Sequence, residues 1–351
     1  MPIFEQIFVQ EIRPHVKIIA EAGVNHNGDL DLAVALLEEA ARAGADAVKF
    51  QAFIPEEMIL QGTGKARYQR GVGDDEDQYQ MLKRLQMSQK NLKLLLQKAN
   101  ELGIFFLASV FDEQSADELQ AIAAQAFKIP SGEITNLPLI RKVAAYGKPL
   151  IISTGMALLG EIEEAVHAVF QTGNRQLMLL HCVSSYPAPY DSLNLSVIKS
   201  LQAAFQVPVG YSDHAEGIEA AVVAVALGAK LLEKHFTLDK NLPGPDHQAS
   251  LNPGEFRQYV TSIRKVETAL GNGCKNIVEA EKEVRILTRK SIVATTQIER
   301  HMVITRDMIA LKRPGTGVPP KYLDYFIGAR ASHRILENTQ LLWSDLEWNC
   351  E

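Results

Sequence analysis

Val207-Pro-Val-Gly-Tyr-Ser-Asp-His214, a helical stretch from Glu216 to Gly228, and Leu231-Leu-Glu-Lys-His235 together decide the fold. Two short apolar runs, each closing on a histidine, flank one helix. A strand, a crossover helix and a parallel strand bring the chain back alongside itself in one sheet. Both imidazoles then lie at the same end of neighbouring strands. A lone strand histidine is ordinarily a hydrogen-bonded core residue. Two of them, each closing a strand, are the start of a divalent-metal site.

Upstream of this unit, β-rich runs recur at Lys17–Gly23, Ala47–Gln51, Phe105–Phe111, Ala126–Ser131, Pro149–Gly155 and Leu177–Ser184. With Pro208–His214 and Leu231–Phe236 they make eight, and amphipathic helical stretches such as Leu30–Ala43, Gln89–Leu102 and Leu159–Thr172 lie between them. Eight alternations are the arithmetic of an α/β protein of (β/α)8 TIM-barrel type. A doubly wound open sheet is the competitor. It is disfavoured because no Gly-x-Gly-x-x-Gly follows the first strand and because polar residues mark nearly every strand end.

The 351 residues suffice for one large domain and a small one, with 46% hydrophobic and 22% charged residues. A net charge of −6 argues against a nucleic-acid partner. No apolar run is long enough to span a membrane, and the N-terminus, with Glu5 and Glu11, lacks the order of a signal peptide. Three scattered cysteines, Cys182, Cys274 and Cys350, fit a reducing cytoplasm. Cys182, inside an apolar run, reads as a small core residue.

Barrel enzymes carry their chemistry at the carboxyl ends of the strands. Polar residues recur there at spacing two, as in Lys49 with Gln51, Ser212 with His214 and Glu233 with His235, so each pair shares one strand face. Lys49 and Lys128 interrupt apolar runs; each either snorkels outward between helices or points inward to meet an anion. Val48 and Phe50 make better outward residues, which turns both ammonium groups inward. With the hydroxyls of Ser131, Ser153, Ser184 and Ser212 they make a local positive pocket suited to phosphate and carboxylate. Glu21 and Glu133 at strand ends are solvated rim charges or groups that move protons and position water. Two chemistries remain open: a Schiff base on an inward lysine, or a divalent cation polarising an aldehyde while the lysines hold an anionic nucleophile. The histidine pair favours the second.

These motifs together resemble the sialic acid (nonulosonate) synthases. The matching stretches are Ala20-Glu21-Ala-Gly-Val-Asn25-His26-Asn27-Gly28, Val48-Lys49-Phe-Gln51, Phe127-Lys128-Ile-Pro-Ser131-Gly132-Glu133, Ile152-Ser153-Thr154-Gly155-Met156, Leu180-His181-Cys182, Tyr186-Pro-Ala-Pro189, Gly210-Tyr-Ser212-Asp213-His214, Glu233-Lys-His235-Phe236-Thr237 and Gly244-Pro245-Asp246-His247. Arg289-Lys290-Ser291 and Lys312-Arg313-Pro314-Gly315 resemble the family's small C-terminal antifreeze-like (SAF) domain. The resemblance implies a barrel over residues 1–270, a charged linker over 271–287 and the small domain over 288–351.

It implies condensation of phosphoenolpyruvate with an N-acetylated hexosamine and water, releasing phosphate by carbon–oxygen cleavage. The sugar is N-acetylmannosamine or a 2,4-diacetamido-trideoxy analogue, and the product N-acetylneuraminate or legionaminate. It further implies His214 and His235 as ligands of Mn²⁺ or Mg²⁺. Lys49, Lys128, Ser131, Ser153, Ser184 and Ser212 fall around phosphoenolpyruvate, Tyr186, Asp246 and Gln51 near the amino sugar, and Glu21 and Glu133 near the reacting centre. Arg313 corresponds to an arginine that reaches the other copy's site in a domain-swapped homodimer. Relatives often carry Asn where Ser184 stands, and His301 replaces a usual turn glycine. A phosphoenolpyruvate aldol synthase acting on a sugar phosphate is the chemical alternative. A non-catalytic carbohydrate- or ice-binding protein would not need these residues on eight strands. The loop from Ala52 to Met87 is long enough to be functional, and its acidic run Asp74-Asp75-Glu76-Asp77 reads as a solvated segment or a helix N-terminus.

Overall fold

The computed structural model describes residues 15–66, 69 and 76–348. Glu5, Glu11, Cys350 and, in the long loop, Arg67, Tyr68, Asp74 and Asp75 lie outside the described residues. The chain divides into two compact units between Asn272 and Gly273.

In the first unit eight parallel strands close into a barrel in chain order. They are β1 (Lys17–Gly23), β2 (Ala47–Ala52), β3 (Phe105–Val110), β4 (Phe127–Ile129), β5 (Leu150–Ser153), β6 (Leu177–Cys182), β7 (Val209–Asp213) and β8 (Leu231–His235). Helices α1 (Leu30–Arg42), α2 (Pro55–Met58), α3 (Gln78–Leu85), α4 (Gln89–Leu102), α5 (Glu113–Ala121), α6 (Leu137–Ala145), α7 (Leu159–Gln171), α8 (Val197–Phe205), α9 (Glu219–Ala226) and α10 (Pro253–Leu270) follow the strands. This is the (β/α)8 TIM barrel expected from the alternation.

Side chains alternate across each strand, and the barrel sorts them by polarity. Ile18, Val48, Phe50, Phe127 and Leu232 pack outward against the helices. Ile19, Ala47, Leu107, Ala126, Ile151, Leu180 and Leu231 fill the interior. Burying such side chains contributes about 1.5–3 kcal/mol for each of the larger ones. Gly210 has no room for more: a Cβ there would stand 2.5 Å from the Leu231 carbonyl oxygen and 2.6 Å from Leu180 Cδ2.

Two residues further along each strand, the inward position is polar on all eight. The ring reads Glu21, Lys49, Ser109, Lys128, Ser153, Cys182, Ser212 and Glu233, and none is more than 6% exposed. A second apolar layer would have made a plain core. A buried polar layer needs hydrogen-bonding partners, so the polar face at the carboxyl ends of the strands begins here.

Three local differences from expectation matter, and one reading of the acidic run is met. β4 stops at Ile129, and Ser131–Glu133 turns as a 3-10 helix rather than continuing the strand. Ser184 lies beyond the end of β6. The helix expected from Glu216 begins only at Glu219, because Gly217 takes a left-handed φ of +76° and the Glu219 carboxylate accepts from the Ile218 N–H. In the acidic run, Asp77 is the N-cap of α3, accepting from the Gln80 N–H in a capping box.

In the second unit, Glu279–Thr288 forms α11, so most of the stretch expected as linker is helical. Val278-Glu-Ala-Glu281 supplies its start, with Glu281 accepting from the Val278 N–H, as a first-turn carboxylate does. β9 (Ser291–Ala294) and β10 (Ile309–Lys312) pair antiparallel over a small core that includes Ile292, Ile298, Ile304, Phe326 and Leu341. α12 (Leu323–Phe326) follows. His301 holds φ +64°, so the turn keeps a left-handed residue without glycine. Arg313 precedes a cis peptide bond to Pro314 and is exposed. Among the described residues no helix is long and apolar enough to cross a membrane.

Candidate active site

The polar ring is first a charge network. Lys49 Nζ lies 2.5 Å from Glu21 Oε2 and 3.8 Å from Glu233 Oε2, and it donates to Ser109 Oγ at 3.0 Å. Lys128 Nζ lies 3.3 Å from Glu233 Oε1, which also accepts from Ser212 Oγ at 3.0 Å. Two ammonium groups therefore face two carboxylates. The positive pocket expected from the lysines is charge-balanced by the protein's own glutamates, because a bare buried ammonium is too costly to leave unpaired. Burial works against every charge here. It pushes the Glu21 carboxyl up to about 7, against the pull of Lys49. For Glu233 the two lysines outweigh burial and hold it at about 2. Burial also lowers Lys128, with Glu233 opposing.

Beside the network is a cradle of small polar groups. The Gly155 N–H donates to Ser131 Oγ at 3.0 Å, and the same hydroxyl shares a hydrogen bond with Cys182 Sγ, 3.3 Å away. Ser184 Oγ lies 3.8 Å from the same sulfur. A Cβ on Gly155 would stand 2.3 Å from Ser184 Oγ and 2.8 Å from both Cys182 Sγ and Ser131 Oγ, so these groups converge on one point. Ser153 Oγ, buried, has no hydrogen-bond partner. Cys182 is thus a wall of the polar cradle rather than the core filler its apolar run suggested.

Above the ring stand the two histidines. Their ring centroids are 5.5 Å apart, and the Tyr186 ring packs 4.2 Å from His214 and 5.5 Å from His235. His214 Nδ1 donates to the Val183 carbonyl at 2.7 Å, which leaves the Nε2 lone pair free. Ser212 Oγ, 3.4 Å from that nitrogen, has spent its proton on Glu233. His235 Nδ1 is buried with no partner. Burial lowers His214 to about 4 and holds His235 well below the ordinary imidazole value, so both imidazoles are neutral at neutral pH.

Glu21, Gln51 and Asp246 meet over Gly23, whose left-handed φ of +55° follows a bulge in β1. A Cβ there would meet Glu21 Oε1 at 3.1 Å, Gln51 Nε2 at 3.3 Å and Asp246 Oδ2 at 3.6 Å. Burial pushes Asp246 up to about 6, with Lys49 opposing. The loop carrying Asp246 is tied down by Asn25, whose Nδ2 donates to the Phe236 carbonyl and to Ser250 Oγ, both at 2.9 Å. A cavity of about 760 Å³ opens beside Tyr186 and Pro245, within the range of small-molecule sites.

Residues 36–275 match the NeuB family and residues 289–347 the SAF domain. The chain belongs to the NeuB family. It is similar to the N,N'-diacetyllegionaminic acid synthase of Legionella pneumophila, 46% identical with 94% of each chain covered. That of Campylobacter jejuni is 45% identical, over 92% of this chain and 97% of the other. Among solved structures, the spore coat polysaccharide biosynthesis protein SpsE of Bacillus subtilis aligns over 95% of this chain and 96% of its own, at TM-score 0.64 and 41% identity. The family and SAF domain expected from the motifs are both borne out.

Synthases of the NeuB family are generally metal-dependent, and the imidazole pair fits a cation. Each histidine is neutral, His214 Nε2 has an unspent lone pair, and His235 Nδ1 lacks a partner. Among the described residues no third His, Cys, Asp or Glu joins them. The two imidazoles are therefore the nitrogen donors that the described residues would offer to a cation at this point.

Of the residues read from sequence, Glu21, Lys49, Lys128, Ser153 and Ser212 stand in one ring. Ser131 and Ser184 form the cradle, Gln51 and Asp246 meet Glu21 over Gly23, and Tyr186 packs on both imidazoles. Glu133 stands apart from the charge network. It accepts from Asn136 Nδ2 at 2.8 Å, and half-burial raises its pKa. Arg313 belongs to the second unit. Sequence reasoning placed Glu233 beside His235 on the inward face without giving it a role, and missed Ser109 and Cys182 as site members. The spacing-two rule that selected Lys49, Ser212 and Glu233 selects the other two once every strand is counted.

Proposed function

We propose that this NeuB-family chain condenses phosphoenolpyruvate with an unphosphorylated N-acetylated amino sugar to a nonulosonic acid. The 2,4-diacetamido-trideoxy hexose that leads to legionaminate is preferred to N-acetylmannosamine. The observation that carries this is the closed ring of inward polar residues beneath two neutral imidazoles. The identity to diacetyllegionaminic acid synthases over nearly the whole chain supports the choice of sugar.

The hydroxyls of Ser131, Ser153 and Ser184, with the Gly155 backbone, hold the phosphate and carboxylate of phosphoenolpyruvate. Lys128 and Lys49 supply the opposing charge. A divalent cation held by His214 and His235, Mn²⁺ or Mg²⁺, supplies Lewis acidity to an aldehyde oxygen when bound. Tyr186, Gln51 and Asp246 orient the open-chain sugar so that its aldehyde carbon meets the enol carbon. Glu21, balanced near neutrality, takes a proton or positions the water that adds. Glu133, half-buried and uncommitted to a lysine, faces the positive charge that develops on the carbon bearing the phosphate ester. A domain-swapped homodimer, in which Arg313 of one copy serves the other's N-acyl group, and a cytoplasmic location belong to the same proposal.

Phosphate release is measured with phosphoenolpyruvate, Mn²⁺ and each of four acceptors: the 2,4-diacetamido-trideoxy-mannose analogue, N-acetylmannosamine, its 6-phosphate and arabinose 5-phosphate. Fastest turnover on the diacetamido sugar is expected. Turnover confined to a sugar phosphate refutes the assignment.

A further inference from the structure

We propose that Asp213, Lys234 and Tyr259 form a clamp on the outer face of the barrel that aims the His214 imidazole, and are positioning residues for the cation. The inference rests on the reading of His214 as a metal ligand. His214 follows the last residue of β7; its own carbonyl accepts from the Ala188 N–H at 2.9 Å. The peptide groups of Ala215, next along, are held from the outer face. The Ala215 N–H donates to Asp213 Oδ1 at 3.0 Å, and Lys234 Nζ donates to the Ala215 carbonyl oxygen. The same ammonium lies 3.1 Å from Asp213 Oδ2, which also accepts from the Tyr259 hydroxyl at 3.4 Å. It sits 5.8 Å from the centre of the Tyr259 ring. The turn that carries one imidazole is thereby tied to β8, which carries the other, and to α10 behind both.

Stability does not account for this arrangement. The Asp213 and Lys234 side chains are 0% and 2% exposed, and an ion pair so buried contributes little net stability, since desolvation offsets its attraction. One step back along each strand the outward positions are Tyr211 and Leu232, packed in the apolar shell. The charged pair appears only at the level of the histidines. Strand alternation explains how β8 serves both sides: Glu233 and His235 face in, while Lys234 between them faces out to hold the neighbouring strand's turn. On the inner side the bond from His214 Nδ1 to the Val183 carbonyl fixes ring rotation. The clamp fixes the backbone from which the ring projects. Groups bonded directly behind metal-binding imidazoles typically contribute about 10–100-fold to affinity, and the clamp acts on the peptide adjoining one of them.

The test is Mn²⁺ titration of the metal-stripped full chain, following free Mn²⁺ by electron paramagnetic resonance without substrate. Circular dichroism checks the fold of each variant. His214→Ala is expected to lose high-affinity binding. Lys234→Met is expected to bind Mn²⁺ about 10–100-fold more weakly, with phosphoenolpyruvate affinity unchanged. A folded Lys234→Met within threefold of wild type, beside an impaired His214→Ala, overturns the clamp alone. Wild-type affinity in His214→Ala overturns the ligand reading and the inference with it. Should Lys234→Met not fold, Asp213→Asn decides by the same threefold criterion, since it keeps an acceptor for the Ala215 N–H but loses the charge that holds Lys234.

Discussion

Gly155→Ala places one methyl group where three polar side chains converge. Its Cβ would stand 2.3 Å from Ser184 Oγ and 2.8 Å from Ser131 Oγ and Cys182 Sγ, so the Ser184 hydroxyl must retreat by about 1 Å to reach ordinary contact. Overpacking of this size costs about 1–3 kcal/mol of stability, which the barrel can absorb. The effect on binding is larger. Hydroxyls moved by that distance no longer reach an anion at hydrogen-bond length, and each such bond to a charged group contributes about 1.5–3 kcal/mol. Losing two weakens phosphoenolpyruvate binding by about 3–6 kcal/mol, or roughly 10²–10⁴-fold in Kd. Calorimetric titration with phosphoenolpyruvate reads this directly. Mn²⁺ affinity, which depends on the imidazoles and not on the cradle, serves as the control for an intact barrel. A folded Gly155→Ala protein that binds phosphoenolpyruvate within twofold of wild type shows that the cradle is not the anion site.

Glu21 offers a pH test: with its carboxyl near 7, kcat/KM is expected to rise as pH passes through that value and frees the base. Glu21→Gln should lack this limb, and a variant that retains it removes Glu21 from proton transfer. Glu233 is held at about 2 against an ordinary 4.5, so its contribution to stability is present above 4.5 and is lost as pH falls from there towards 2. The urea midpoint of Glu233→Gln should therefore fall less steeply than that of wild type over this window; equal slopes contradict the network. Asn25→Ala deletes both bonds that tie the first loop to Phe236 and Ser250, with an expected loss of about 2–3 kcal/mol in urea unfolding. A loss below about 0.5 kcal/mol shows that the loop carrying Asp246 is anchored elsewhere.

Legibility varied with the range of the cause. The eight strands and the inward direction of Lys49, Lys128 and Ser212 follow from period two, a local rule any run displays. So does the pairing of His214 with His235, since one helix joins their strands. The state of charge of the pocket was not local. Glu21 and Lys49 are register partners on the neighbouring strands β1 and β2, but Lys128 meets Glu233, and Lys49 comes within reach of it, only because closure of the barrel joins β8 to β1 and brings β4 near β8. Glu233 was visible as the partner of His235 at spacing two, yet without that closure it had no reason to be more than a rim carboxylate. Cys182 misled for the opposite reason. Its neighbours Leu179 and Leu180 are core residues on two different faces, so an apolar run did not reveal that the next inward position had reached the polar layer.

By itself the amino-acid sequence determined the elements, their order, the family and most of the residues at the carboxyl ends, because hydrophobic period and motif spacing are written in consecutive positions. Only the tertiary structure decided which charges neutralise one another, which hydroxyls share an anion cradle, and which groups hold the ligand turn from behind. Those depend on distances between strands far apart in the chain. Closing the barrel sets them, and removal from water makes each one matter.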